Sequence, residues 1–308
     1  MINNQEDEAV DNENEIQEVD AAVLSKNEWH SICCSCFVRI DGTSRYFCRH
    51  WEISLGIPIF VIALIIFCFT VFIFANYVDF PSLELKIVSL LEITIFLLLF
   101  LWSYFGAMCM DPGFLPYNWS MTRRFFYSWE EQLDFLAIDQ EQVNFATSND
   151  LPPNSSFSRS AGRFVVRADH ICGWISNWVG KRNHKQFMLM LLYGSIFSSS
   201  LFVWRFAAKR SQSLKERSIA IYGCDITACV FECIFAFLLF GDFVIFLDEL
   251  IKNRTQLDRM KKKNKKKLGC EEAMRQICGN GSIFCWICPT PAFGEDFGDF
   301  FIHEGNEG

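Results

Sequence analysis

The sequence predicts an all-α polytopic membrane protein with four transmembrane helices and a cytosolic loop domain between helices 2 and 3. Three observations lead to this class: 51% of the 308 residues are hydrophobic, Phe occurs 33 times, and the apolar residues collect in four long runs. A soluble domain normally carries less apolar material. A helix needs about 20 mostly apolar residues to cross a hydrocarbon core of roughly 30 Å.

Four runs pass this length test. They extend from Ile53 to Tyr77, from Ile87 to Met108, from Phe187 to Ala208 and from Ile219 to Leu247. The first contains no charge, whereas the others contain Glu92, Arg205, Asp225, Glu232 and Asp242. Charges inside a membrane are costly, so we expect these groups to pair within the bundle. A proton relay, as in a transporter, is an alternative, but nothing in the sequence orders the acids into a path.

Basic residues indicate the topology. The segment before the first run, the segment between the second and third runs and the tail from Lys252 to Lys267 contain 21 Lys and Arg, whereas Lys86 is the single base between the first two runs. Because cytoplasmic flanks collect Lys and Arg, we expect both termini and the middle segment to be cytosolic. The loop at 209–217, KRSQSLKER, disagrees, since this orientation places its four bases on the opposite side.

The N-terminal stretch is acidic and polar. Its first 20 residues contain eight acids and no bases, a composition that favours disorder to about residue 25. A cleavable signal peptide would need a basic segment followed by an apolar one, so none is expected.

One short stretch carries the chemistry. RADHICGWISNWVGKRNHKQF, residues 167–187, places Asp169, His170 and Cys172 within four residues, just before the third run. Directly after the second run comes CMDPGFLP, which contains Asp111, Pro112 and Gly113. The two stretches resemble the DHHC and DPG motifs of the DHHC-type protein S-acyltransferases.

The resemblance continues on both sides of the third and fourth runs. Trp174, Asn177, Val179, Gly180, Asn183 and Phe187 fit the family pattern DHHCPWxxNCVGxxNxxxF, in which Ile171 here replaces the second His. NRTQLD, from Asn253, is similar to the GxTTxE stretch, with Thr255 and Asp258 matching. LGCEEAMRQICG, from Leu268, resembles the C-terminal NPxDxGxxxNxxxFG motif, with Ala273 in place of its Asn.

The resemblance implies an enzyme that moves a long-chain fatty acyl group, palmitoyl, from acyl-CoA to cysteines of other proteins. Cys172 would carry the acyl group as a thioester, because a covalent intermediate splits a difficult exchange into two easier steps. His170 would take the thiol proton, and Asp169 would orient and charge-stabilise the imidazole. The alternative is a catalytically silent, DHHC-like scaffold that binds acyl chains or partner proteins.

Four bases beside the trio are candidates for binding the phosphates of acyl-CoA: Arg167, Lys181, Arg182 and Lys185. Alternatively, they are ordinary basic residues on the cytosolic flank of a membrane span. Acyl-CoA is thus the expected donor, and no resident cofactor is expected. Further expected partners are the lipid bilayer, cytosolic or membrane-associated substrate proteins and, as an open possibility, an accessory subunit; no nucleic acid is expected.

Members of this family hold two structural zinc ions in a Cys-rich domain upstream of the trio. Here the ligand positions carry Phe157, Ser158, Ala161, Phe164, Ile171 and Trp178. A structural zinc site needs four S, N or O ligands, so zinc is predicted absent. The large apolar replacements predict a small hydrophobic core instead.

A second cluster leaves a metal open: His30, Cys33, Cys36, Cys48 and His50 contain a CxxC and a CxH. A zinc site there competes with a set of reduced thiols or acylation targets.

The predicted organisation has five regions. They are a cytosolic N-terminal region at 1–50, the first two spans at 51–110, a degenerate DHHC catalytic domain at 111–186, the last two spans at 187–248 and a cytosolic tail at 249–308. We expect an endomembrane location, in the Golgi or the endoplasmic reticulum.

Overall fold

The fold is dominated by four long helices. The computed structural model describes the backbone at 29–31, 37–40, 46–48, 51–52, 56–114, 155–158, 163–209, 219–262 and 265–293. Its long helices are α1 (Gly56–Asp79), α2 (Leu83–Cys109), α3 (His184–Lys209) and α4 (Ile219–Ile251). All four are long and apolar enough to cross a membrane, which confirms the predicted fold class.

The helix bounds differ from the predicted runs by a few residues. α2 begins at Leu83 rather than at Ile87, because the Ser82 hydroxyl accepts a 3.3 Å hydrogen bond from the Leu85 N–H and caps the first turn. α4 continues to Ile251, four residues beyond the predicted end. Hydropathy marks the apolar part of a helix, and it does not register polar turns that extend the helix beyond that part.

α3 is the central helix of the bundle. It packs against α1, α2 and α4, and its residues Leu189 and Leu201 are almost fully buried. By contrast, Ile66 of α1, Leu98 of α2 and Phe237 of α4 are 60% or more exposed. In a membrane such exposed apolar side chains face lipid tails, which are as apolar as Leu.

The charges inside the bundle pair with one another, as expected. Arg205 Nη1 lies 2.6 Å from Asp225 Oδ1, and its Nε donates to Glu232 Oε2 at 3.0 Å. These three side chains are at most 3% exposed. Glu92 accepts hydrogen bonds from the Ser200 hydroxyl and the Trp204 indole N–H. Glu92, Asp225 and Glu232 therefore have local partners, which accounts for these three acids without a proton relay.

Short antiparallel strands, which the sequence analysis does not predict, occur outside the helices. β1 (Trp29–Ser31), β2 (Phe37–Ile40), β3 (Tyr46–Cys48) and β4 (Trp51–Glu52) form one sheet. β5 (Ser155–Ser158) pairs with β6 (Arg163–Val166), and β7 (His170–Cys172) pairs with β8 (Asn177–Val179). The candidate metal cluster lies beyond the described side chains, since His30 and Cys48 are described by backbone alone and the other three members lie outside the described ranges.

Three short helices follow α4: α5 (Gln256–Met260), α6 (Cys270–Cys278) and α7 (Ile283–Ile287). α6 buries Ala273 and Ile277 against the bundle. It ends at Gly279, which adopts φ +73°, and a Cβ there would lie 3.1 Å from the Ala292 carbonyl oxygen. This positive φ is a conformation that glycine adopts more readily than any other residue.

Candidate active site

The β7–β8 hairpin is fixed to the end of α2. The last carbonyls of a helix lack hydrogen-bond donors within the helix, and here two Asn side chains supply those donors. Asn177 Nδ2 donates to Met108 O at 3.0 Å and to Met110 O at 2.9 Å. Asn183 Nδ2 donates to Ala107 O at 3.0 Å. The two Asn residues of the motif therefore hold the strands that carry the trio against a membrane helix.

The DPG stretch fixes the other side of the hairpin. Asp111 Oδ1 accepts the N–H groups of Gly113 and Phe114, both at 2.9 Å, and its Oδ2 lies 2.7 Å from Arg182 Nη1. Gly180 packs so closely that a Cβ there would lie 2.3 Å from the Pro112 carbonyl oxygen. These contacts join the two motifs that are 55 residues apart in sequence.

Asp169, His170 and Cys172 lie together. His170 Nδ1 is 2.8 Å from Asp169 Oδ2, and a hydrogen bond with Cys172 is among the interactions that raise the pKa of His170. Because alternate residues of a strand point to the same face, His170 and Cys172 share one face of β7 while Ile171 points to the other. Cys172 is buried at 4% exposure, so its sulfur lies in a sheltered position.

A third element, which the sequence analysis missed, completes the support of Asp169. The backbone N–H of Gln256 donates to Asp169 Oδ1 at 2.7 Å. Gln256 is the first residue of α5, and Thr255 and Asp258 form a reciprocal capping box that fixes this turn. The available signal was the spacing of Thr255 and Asp258, although that spacing does not reveal which group the turn contacts.

The protonation states follow from these contacts. Burial alone would raise the pKa of Asp169, but the hydrogen bond with His170, the nearby His170 charge and the Gln256 N–H together hold this pKa below its ordinary value. Burial lowers the pKa of His170, but Asp169 and Cys172 outweigh it and raise that pKa to about 9. At neutral pH the site therefore holds an Asp carboxylate beside a charged imidazolium.

A cavity of about 450 Å³ extends from the trio between the membrane helices. The hairpin lies beside the start of α1, since a Cβ on Gly173 would lie 3.4 Å from Ile57 Cδ1. The lining reaches Cys68, about 18 Å from the start of α1, and Leu201, about 25 Å from the start of α3. The walls between are apolar and include Leu64, Phe100, Met190, Leu191, Phe235 and Leu239. The cavity therefore suits an extended hydrocarbon chain whose reactive end lies at Cys172.

The four predicted phosphate-binding bases do not form one surface. Arg182 is 8% exposed and is ion-paired with Asp111, and Lys185 is 1% exposed. Arg167 Nη1 donates to the side chain of Gln276, while Lys181 Nζ donates to the Gln276 backbone oxygen at 3.0 Å and lies over the Phe293 ring. Arg182 and Lys185 are therefore buried, whereas Arg167 and Lys181 contact Gln276. The role of all four bases as phosphate contacts stays a prediction.

The prediction that large apolar side chains at the zinc-ligand positions form a small buried core is partly wrong. Phe164 is fully buried and Trp178 is 9% exposed, as a small core requires. Ile171, however, is 61% exposed, because the strand alternation turns it away from the face that Cys172 shares. The side chain of Phe157 lies outside the described residues. Within the described part of the chain, no group of three or more His, Cys, Asp and Glu is placed to hold a metal ion.

Comparisons with known proteins agree with this geometry. Residues 137–263 match the family model described as DHHC palmitoyltransferase. The chain is similar to "Probable protein S-acyltransferase 14" of Arabidopsis thaliana, with 27% identity over 65% of this chain and 73% of that protein. It is 25% identical to "Palmitoyltransferase ZDHHC3-A" of Danio rerio over 61% of this chain and 60% of that protein.

A shorter match is to a longer protein. "Palmitoyltransferase AKR1" of Debaryomyces hansenii is 31% identical over 34% of this chain, but the chain spans only 13% of that protein.

Proposed function

We propose that the chain, whose residues 137–263 match the DHHC palmitoyltransferase family model, is a protein S-acyltransferase in which Cys172 accepts the acyl group from acyl-CoA as a thioester. The observation that supports this assignment most directly is the placement of a buried Cys172, paired with His170 and Asp169, at the end of an apolar cavity. Of the described cysteines, Cys172 and Cys68 line the cavity, and Cys68 lies far from the trio.

Loading is the first step. The Cys172 thiolate attacks the carbonyl carbon of the acyl-CoA thioester and forms a new C–S bond. The bond between that carbon and the coenzyme A sulfur then breaks, and the departing thiolate takes the proton from the His170 imidazolium. The products are acyl-Cys172, neutral His170 and coenzyme A thiol, so charge and protons balance.

Transfer is the second step and reverses the first on a different thiol. A substrate cysteine gives its proton to neutral His170, and its thiolate attacks the acyl carbon on Cys172. The Cys172 thiolate leaves and is stabilised by the imidazolium that has just formed. Asp169 stays ionised throughout, oriented by the Gln256 N–H, and holds the His170 ring in the productive direction.

The acyl chain lies in the cavity between the helices, and the coenzyme A group stays in water. This division suits the amphiphilic donor, because the cavity walls are apolar and the trio lies at their end. The concentration of Lys and Arg in the middle segment and the tail supports a cytosolic catalytic face and cytosolic termini. The same proposal has three further parts. The protein lies in an endomembrane, and its chain has the five regions given in the sequence analysis. The segment between the second and third long helices folds without zinc.

A labelled-donor experiment tests the assignment. Purified full-length protein is incubated with radiolabelled palmitoyl-CoA and analysed with and without hydroxylamine, which cleaves thioesters. We expect hydroxylamine-sensitive label on the wild type and on Cys109→Ser, a control at an exposed cysteine at the end of α2, and none on Cys172→Ser. Absence of label on folded wild type would favour the silent scaffold, and label that persists on Cys172→Ser would place the nucleophile elsewhere.

A further inference from the structure

The end of the cavity that lies farthest from the trio is polar, although the walls leading to it are apolar. Glu232 of α4 is buried and belongs to the cavity lining. The Arg205 guanidinium contacts both oxygens of this carboxylate and also contacts Asp225. Taking charged groups out of water costs free energy, so such a cluster is weak evidence for stability alone. Charged groups inside a membrane commonly mark the path of a ligand.

Ring contacts beside the trio fix the depth of Glu232. The Phe187 ring lies 5.3 Å from the His170 ring and 5.8 Å from the Phe246 ring, measured between centroids. Glu232 lies 14 residues from Phe246 along α4, and Leu201, another lining residue, lies 14 residues from Phe187 along α3. At about 1.5 Å per residue, both helices place the end of the cavity about 21 Å from the trio.

An extended acyl chain of 16 carbons ends at this depth. A saturated chain advances about 1.25 Å per carbon, because its C–C bonds are about 1.5 Å long. Its last carbon therefore lies about 19 Å from the carbonyl carbon, close to the level of Glu232. An ionised carboxylate accepts hydrogen bonds, so a terminal methyl group offers it no partner, whereas a terminal hydroxyl group does.

Ser198 supplies a second polar group along the same path. It lines the cavity and lies 11 residues, about 16 Å, from Phe187 along α3. Ser198 is 8% exposed, and no hydrogen bond joins its hydroxyl to another residue of the described chain. Buried hydroxyl groups normally have partners, so this one indicates that a polar group of the ligand lies in the cavity.

We propose that Glu232 and Ser198 form a subsite for a hydroxyl group at the far end of the acyl chain. The enzyme thereby binds 16-carbon acyl groups with a terminal hydroxyl more tightly than palmitoyl, an inference that rests on the proposed function. The chain hydroxyl donates to Glu232 and accepts from Ser198, while Arg205 holds the carboxylate in place. A terminal carboxylate is excluded, because like charges repel.

A competition between two donors tests the proposal. Purified full-length protein is loaded in a single turnover with equal concentrations of palmitoyl-CoA and 16-hydroxypalmitoyl-CoA, and mass spectrometry of the Cys172 peptide gives the ratio of the two acyl groups. We expect about a tenfold excess of the hydroxylated group, as for one hydrogen bond to a charged group. The ratio should fall to one or below in Glu232→Leu, which leaves Arg205 paired with Asp225, and by roughly threefold in Ser198→Ala.

Glu92→Gln is the matched control. Glu92 is also an acid of a long apolar helix and accepts hydrogen bonds from Ser200 and Trp204, but it is absent from the cavity lining. This variant should keep the wild-type ratio. A ratio near one in the wild type, or an excess that persists in Glu232→Leu, would overturn the proposal. If neither donor labels wild-type Cys172, the proposed function itself fails, so the two failures are distinguishable.

Shorter donors test the depth of the subsite in wild-type protein, so the result does not depend on the folding of a variant. The same competition uses decanoyl-CoA and 10-hydroxydecanoyl-CoA. The hydroxyl of the shorter chain lies only about 12 Å from the carbonyl carbon, between apolar walls. Burial without a partner disfavours it there, so the ratio should be below one. An equal preference for the hydroxylated donor at both lengths contradicts a subsite at Glu232.

Discussion

The backbone N–H of Gln256 donates a 2.7 Å hydrogen bond to the Asp169 carboxylate across 87 residues of sequence. The other oxygen of that carboxylate lies 2.8 Å from His170. The turn after the fourth long helix therefore holds the carboxylate that contacts His170.

Asp169→Asn tests the electrostatic role of the carboxylate. An amide keeps the shape but removes the charge that raises the pKa of His170, so the imidazolium becomes less stable and loading should slow by about a hundredfold or more. In the wild type, loading should decline as pH rises through about 9, where His170 loses its proton. The decline should move to lower pH in Asp169→Asn. An unchanged pH profile would show that Asp169 does not tune His170.

Thr255→Ala tests the support from α5. Loss of the capping hydroxyl costs about 1 kcal/mol of local helix stability and loosens the turn that holds the Gln256 N–H. We expect a lower loading rate with little change in global thermal stability, and recovery in Thr255→Ser, which keeps the hydroxyl. If Thr255→Ser is as impaired as Thr255→Ala, the hydroxyl is not the cause.

Gly180→Ala tests the close packing of the two motifs. The added methyl would approach the Pro112 carbonyl oxygen at 2.3 Å, so the backbone must shift. We expect destabilisation of about 1–3 kcal/mol, measured by thermal unfolding in detergent, together with loss of loading. Gly223→Ala is the control, because nothing lies within 4 Å of a Cβ there and helix propensity favours Ala.

Cys68→Phe tests whether the cavity holds the acyl chain. Cys68 is 6% exposed and lines the cavity far from the trio, so a larger side chain there should shorten it. Loading from palmitoyl-CoA should fall more than loading from a ten-carbon acyl-CoA. The matched control is Cys224→Phe, at an exposed cysteine of α4 that is absent from the lining. Equal losses for both donors would argue against the cavity as the acyl site.

Local features of the chain were predictable from the sequence. The four spans could be predicted from the length of their apolar runs. The trio could be predicted because its members, such as Asp169 and His170, are close together in the sequence. The pairing of Arg205 with intramembrane acids was expected because an unpaired charge there is too costly.

Contacts between distant segments were not predictable in the same way. Gln256 acts through its backbone N–H, which every residue except proline has, so its identity carries no signal. Arg182 and Lys185 have the sequence appearance of surface bases, and only the packing of the hairpin against α2 shows that they are buried. The exposure of Ile171 depends on strand alternation, which three residues of β7 are too few to reveal.

The most direct test of the central claim is the location of the acyl group during turnover. Wild-type protein is loaded with palmitoyl-CoA, digested with trypsin and analysed by mass spectrometry without reductant, so that the peptide of residues 168–181 reports on Cys172. We predict palmitoyl on this peptide and its transfer to an added thiol peptide when excess palmitoyl-CoA is removed. A palmitoylated acceptor that forms without any palmitoyl on the 168–181 peptide would contradict a mechanism through Cys172.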